Sequence, residues 1–269
     1  MSDTLKLPRL RQKRQASQYV LRFPQSGAGL DQDVEWCEVY DGSRWERLRL
    51  HDYADIYSRP GLYEHLFYDL LRCTSPQRVV GLLEDVLREA GVCPTRLRAL
   101  DVGAGNGMVG EELRRLGIET LIGLDIIPEA AEAAQRDRPM LYDQYLVADL
   151  TALSEEDESL LREARLNCLS TVSALGFGDI PAAAFAAAFN LLETPAWLAF
   201  NIKETFLSGD DSTGFCRLIR AMTDNRIIQI EAYRRYSHRL SISGKPLKYV
   251  AMTARKLCNL DQELVDAVG

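Results

Sequence analysis

The stretch ALDVGAGNG, residues 99–107, runs on into MVG, and its glycines group in two ways. Gly105, Gly107 and Gly110 spell G-x-G-x-x-G, with Asp125 twenty residues past the first of them. As a bare pattern that is a dinucleotide fingerprint. Gly103, Gly105 and Gly107 also spell G-x-G-x-G, with an acid, Asp101, two residues ahead. The two groupings imply different ligands, and the surrounding chain has to choose between them.

Downstream, strands and helices alternate. RALDVG (98–103) predicts a strand and GMVGEELRRLG (107–117) a helix with Val109, Leu113 and Leu116 on one face. TLIGLDII (120–127), YLVADL (145–150), LNCLSTVSAL (166–175) and PAWLAFNIK (195–203) predict further strands. Between them PEAAEAAQRD (128–137), a segment opening at Ser154 and PAAAFAAAFNLL (181–192) predict helices, and STGFCRLIRAM (212–222) adds another. Such alternation implies right-handed βαβ units and a parallel sheet covered on both faces. The last two strand-like stretches meet around Gly244-Lys245 with no helix between them, so they pair antiparallel.

Upstream the character differs. VEWCEVYDGSRWERLRL (34–50) predicts a hairpin around Asp41-Gly42. PGLYEHLFYDLLR (60–72) has helical apolar spacing, and the helix after it is expected to take Ser75 as its N-cap, Pro76 as its first residue and Gly91 as its stop. These features divide the chain into an N-terminal extension, residues 1–52 (basic tail plus hairpin), and a main domain, residues 53–269.

At 269 residues, 46% hydrophobic and 26% charged, the composition is that of a globular protein. No apolar run approaches the roughly 18 residues of a membrane span, and the N-terminus lacks the apolar core of a secretory signal. The six cysteines show no C-x-x-C pair, which suggests reduced thiols in the cytoplasm, and the three histidines are too dispersed for a metal centre. Residues 1–22 hold six basic residues against Asp3 alone, so the body is more acidic than the overall net charge of −7. An acidic body without an aromatic-basic stripe argues against a nucleic-acid partner.

Over about residues 53–258 the chain resembles the class I S-adenosylmethionine-dependent methyltransferases. The resemblance rests on LDVGAGNG with its preceding acid and on the closing antiparallel hairpin, which an NAD-type domain lacks. It implies an α/β fold: a mostly parallel seven-stranded sheet with helices on both faces and a C-terminal antiparallel hairpin. It also implies S-adenosyl-L-methionine as cofactor. A carboxylate at Asp101 would repel a pyrophosphate but hold an ammonium group, directly or through water; unit charges about 4 Å apart at an effective dielectric near 20 interact by roughly 4 kcal/mol. In this reading Gly103, Ala104, Gly105, Asn106 and Gly107 form the turn, and Asp125 takes the ribose hydroxyls. Ile126 and Ile127 flank the adenine, while Asp149 and Leu150 meet its amino edge.

The acceptor pocket is expected around TVSALGFGD (171–179), with Ser173 near the cofactor and Phe177 as a wall. The absence there of an N/D-P-P-Y/F motif argues against the subclass that methylates adenine or protein glutamine. HDYADIYSRPGLYEH (51–65), with Tyr53, Tyr57, Tyr63 and Arg59, is the expected lid. His65, His238, Lys203, Tyr63 and Glu204 are the candidate acid–base groups. The expected activity is methyl transfer to an oxygen or nitrogen of a small molecule, with the extension shaping the acceptor pocket or a homodimer contact. The rivals are a protein or RNA methyltransferase recruited by the basic tail, an NAD-linked oxidoreductase, and a non-catalytic cofactor-binding partner protein.

Overall fold

The computed structural model describes residues 19–24, 30–175, 180–207 and 214–268. Its centre is a seven-stranded sheet built from β4 (Arg98–Val102), β5 (Thr120–Asp125), β6 (Gln144–Val147), β7 (Cys168–Thr171), β8 (Ala196–Lys203), β9 (Ile228–Leu240) and β10 (Pro246–Lys256). The order across the sheet is β6-β5-β4-β7-β8-β10-β9. The first five run parallel, while β10 pairs antiparallel with both β8 and β9. The expected sheet and its closing hairpin are both present. β4 and β7 are almost wholly buried, as strands covered on both faces must be.

One apolar layer packs α6 (Glu155–Glu163), α7 (Ala182–Leu191) and α8 (Phe215–Asp224) around Leu100, Ile122, Leu169 and Phe200. The other packs α3 (Ser75–Glu89) and α4 (Met108–Leu116) around Ala99, Leu121, Cys168 and Ala251. Ser154 caps α6 by accepting the Asp157 N–H at 3.1 Å. At the far end of α7 the buried Lys256 Nζ donates to the carbonyls of Phe189 and Leu192, both at 2.8 Å, satisfying groups the helix leaves unpaired. Among the described residues no helix is long and apolar enough to cross a membrane.

A second, three-stranded sheet joins β1 (Val20–Arg22), β2 (Trp36–Tyr40) and β3 (Trp45–Arg49), with β2 and β3 antiparallel across Asp41-Gly42. Its inner residues Cys37, Val39 and Leu48 pack with Ile56, Leu62 and Leu66 of the following helices and with Ile242 beyond β9. On its outer face strand alternation gathers Trp36, Tyr40 and Trp45, with the Arg47 and Arg22 guanidiniums 3.8 and 4.0 Å over the two indoles. An aromatic-basic face therefore does exist. Linear reading misses it because its members meet only through the cross-strand pairs Tyr40↔Trp45 and Glu38↔Arg47. Residues 1–18 of the basic tail lie outside the described residues.

Two local expectations need correction. The helix expected over 60–72 is α2 (Leu62–Glu64) followed by a wide π turn over His65–Leu70. Leu71 N–H reaches back five residues to the Leu66 carbonyl, which brings Leu66, Phe67 and Leu71 together against the N-terminal sheet. Ser75 opens α3 but does not cap it, because its hydroxyl is directed inward to Tyr236 and His238.

Candidate functional site

The carboxyl ends of β4, β5 and β7 open on a cavity of about 300 Å3 that reaches from the glycine turn to Gln32 and His51, which flank strands β2 and β3 of the N-terminal sheet. Open parallel sheets present ligands at this edge. Gly103, Gly105 and Gly107 all have positive φ (69°, 54° and 90°), a conformation side chains resist. Gly105 is held at both ends: its N–H donates to Asp125 Oδ2 at 2.9 Å, and its carbonyl accepts the Tyr145 hydroxyl at 2.8 Å. Gly110, the third glycine of the dinucleotide spacing, lies within α4, where a Cβ would stand 2.6 Å from Tyr142 Oη. Close packing against a tyrosine accounts for that glycine without any ligand.

Asp125 is buried at the end of β5, and its second oxygen accepts the Ile127 N–H at 3.1 Å. Burial raises its pKa, while the Gly105 and Ile127 amides oppose the shift. Ile126 projects into the cavity, 61% exposed, with Ile127 beside it. Asp149 lies two residues beyond the end of β6, and Oδ1 already takes the amide and hydroxyl of Thr151 at 2.8 and 2.7 Å. It borders the cavity as part of a self-closed turn, with Leu150 buried next to it. Ser173 also lines the cavity, at φ 61°, its amide donating to Asn201 Oδ1.

Asp101 is not where the charge argument puts it. It lies beneath the glycine turn, outside the cavity lining, 1% exposed, and accepts the Tyr142 hydroxyl at 2.8 Å. Burial pushes its carboxyl up to about 7, against the hydrogen bond from Tyr142. Direct contact with an ammonium group in the cavity is therefore withdrawn; the residue supports the turn from behind. Folded Asp101 keeps its proton between about pH 4 and 7 while the unfolded chain loses it, so this group lowers stability as pH rises through that window. Asp101→Asn is expected to remove that slope. Relative to wild type it should gain on the order of 4 kcal/mol between pH 4 and pH 8 in urea melts. An unchanged slope would count against the assignment.

The lid is latched onto the turn. α1 (Tyr53–Tyr57) packs on α5 (Pro128–Asp137) through Tyr57, Ala130 and Ala133. Tyr57 is buried against Gly105, and the Tyr63 ring packs beside it, tilted by 36° with ring centroids 4.7 Å apart. Glu64 accepts from Asn106 Nδ2 at 3.2 Å and from Arg138 at 2.8 Å, so lid, turn and α5 share one polar cluster. Asn106 Oδ1 is buried with no partner among the described residues. Arg59, expected over the cofactor, instead pairs with Glu46 of the N-terminal sheet at 2.7 Å.

Of the acid–base candidates, His238 and Tyr63 line the cavity. His65 lies outside it and pairs with Asp69 at 3.3 Å. Lys203 is also outside the lining, and Glu204 is bound to Arg235. Phe177 and its neighbours 176–179 lie outside the described residues. Sequence reading missed Gln32, Arg239 and Tyr249, which close the inner end with His51. No local motif marks them; they converge from segments about 200 residues apart in sequence.

Residues 100–162 match the family model described as a methyltransferase domain. No curated protein matches the chain. Among solved structures, an S-adenosylmethionine-dependent methyltransferase from Clostridium acetobutylicum aligns with a TM-score of 0.50 at 12% identity, covering 72% of this chain and 97% of that one. A magnesium protoporphyrin IX methyltransferase from Synechocystis gives 0.46 at 16% identity, over 67% and 79%. A ribosomal protein L11 methylase from Lactobacillus delbrueckii gives 0.45 at 17%, over 68% and 78%. Sequence match and sheet order agree: residues 100–162 carry a methyltransferase-domain segment, and the chain has the class I methyltransferase fold.

Proposed function

We propose that the chain methylates an oxygen or nitrogen of a small molecule held at the inner end of the cavity. The observation that carries this reading is the set of side chains that converge there. Gln32 and His51 of the N-terminal segment, the lid tyrosines, and His238, Arg239 and Tyr249 of the β9–β10 hairpin line it together, a lining sized for side-chain contacts to a small acceptor. In this reading the described residues 30–52 of the N-terminal extension are a cover over the acceptor end, and the domain proper begins at Tyr53.

The residues at the outer end suit a cationic cofactor. The lining there carries Asp125 and Asp149, and the one described cation lining the cavity, Arg239, sits at the inner end paired with Glu35. A pyrophosphate would meet carboxylates without a counter-charge. The Gly103–Gly107 turn is packed so closely that a Cβ at Gly105 would collide with Tyr57 and one at Gly107 with Leu141, and Asn106 Oδ1 is the orphaned acceptor beside it. Asp125 keeps lone pairs for the ribose, Ile126 and Ile127 flank the adenine, and Tyr57 closes over the turn. When bound, the cofactor supplies a methyl group already activated on a sulfonium. The protein's tasks are then orientation and exclusion of water, at a near-attack distance of about 3–3.5 Å.

Calorimetry tests the reading. S-adenosylhomocysteine is expected to bind with one site per chain, and NADH at the same concentration to give no heat. Binding of NADH without adenosylhomocysteine would return the dinucleotide reading.

A further inference from the structure

The hydrogen bonds behind His238 have a direction that can be read from the backbone. The Ser173 amide can only donate, and it points at Asn201 Oδ1 at 2.6 Å. That orients the Asn201 amide with Nδ2 toward Tyr236 Oη at 2.6 Å. Nδ2 can only donate, so Tyr236 accepts there and sends its own proton to Ser75 Oγ, 2.7 Å away. Ser75, having accepted, has Cys73 and His238 Nδ1 as outlets for its hydroxyl, and the 2.6 Å contact to the nitrogen, the stronger acceptor, takes it. Nδ1 is therefore the lone-pair nitrogen, and the ring proton resides on Nε2. Cys73 Sγ, 3.8 Å from Nδ1, and the Tyr249 ring, 4.3 Å away, complete the surroundings together with Arg239. Burial and the Arg239 charge keep the imidazole neutral, well below its usual pKa.

Gln32, in the turn that precedes β2, lines the same cavity. Its Nε2 donates to Tyr249 Oη at 2.9 Å. Its Oε1 is buried, borders the cavity and has no partner among the described residues. Tyr249 is thus a shared neighbour of Gln32 and of the His238 ring, and all three line the cavity.

We infer that His238 serves the cavity as a fixed Nε2–H donor rather than a base, and with Gln32 Oε1 binds the edge of a planar acceptor that sets a lone pair beside an N–H or O–H. Lactams and hydroxy-carbonyl aromatics carry that edge. Ser75, Tyr236 and Asn201 are positioning residues that set the tautomer. The inference rests on the acceptor end proposed above.

Nitrogen NMR of the full chain labelled with 15N-histidine tests it. There are three histidines, so His238→Gln identifies the ring. The expected spectrum is a neutral, Nε2-protonated ring, unchanged from about pH 6 to 8. Protonation at Nδ1, or an imidazolium at pH 7, overturns the inference. Ser75→Ala, which removes the donor to Nδ1, should shift the population toward the Nδ1–H tautomer; no shift would remove Ser75 from the relay. With adenosylhomocysteine present, 2-quinolone should move the Nε2–H signal and bind at least about tenfold tighter than 2-methoxyquinoline, a difference of roughly 1.4 kcal/mol. Equal binding, or no movement up to the solubility limit, overturns the acceptor class. The tautomer needs no cofactor, so its result stands apart from the adenosylhomocysteine titration.

Discussion

Glu35→Ala is expected to destabilise the protein by about 3–5 kcal/mol, the usual consequence of leaving one member of a buried ion pair without its partner. Glu35 Oε2 accepts from Arg239 at 2.7 Å, and the two side chains are 1% and 2% exposed. The other oxygen takes the Ile242 amide at 2.8 Å, so the variant orphans a guanidinium and a backbone donor together. Arg239 also donates to the Leu240 carbonyl, which holds it in place and prevents it from swinging to water. The pair fastens the turn before β2 to the end of β9, and Glu35 O accepts the Leu50 amide on the same side. Loss of Glu35 therefore loosens the cover over the inner end of the cavity. Urea melts should show a lower midpoint for Glu35→Ala. Joint replacement of Glu35 and Arg239 by methionine should recover much of the loss, because no charge is then stranded. A single variant within about 1 kcal/mol of wild type would refute this account.

Gly105→Ala is expected to weaken adenosylhomocysteine binding at least 100-fold, roughly 2.7 kcal/mol. Two effects combine. At φ 54° an alanine is strained by about 1–2 kcal/mol. Its Cβ would also stand 2.3 Å from Tyr57 Oη, a contact that the turn or the lid must relieve by moving. Tyr57 is buried between α1 and α5, so the movement falls on the turn that would hold the cofactor. Tyr57→Phe removes the nearest clashing atom and leaves the next contact at 3.2 Å. The double variant should therefore be more stable than Gly105→Ala alone, a coupling measured by the four-member cycle. Additive effects, or unchanged affinity in the single variant, would show that the turn is not the cofactor cradle.

These two variants also divide what local sequence discloses from what it hides. Gly105 is legible in LDVGAGNG, because a strand that turns into a helix within five residues needs left-handed backbone wherever it bends, and glycine spacing records that need. The sheet is legible for a similar reason: alternating strand and helix patterns admit few connections, and a hairpin without a helix forces the last two strands antiparallel. Asp125 was readable too, since it ends a strand at the ligand-binding edge. Asp101, by the same rule, is expected at the cavity edge and instead lies beneath the turn. The pleat turns its side chain to the α3–α4 face, under the turn, and nothing in the neighbouring residues says that Tyr142 will cover it.

The inner end of the cavity belongs to the fold alone. Glu35 and Arg239 are 204 residues apart, Ser75 and His238 163, and Gln32 and Tyr249 217. Turn conformation, helix register and strand alternation depend on near neighbours and are written in consecutive residues. Ion pairing, proton direction and the choice of what a buried hydroxyl faces depend on which segments the sheet order brings together, and only the assembled chain specifies that.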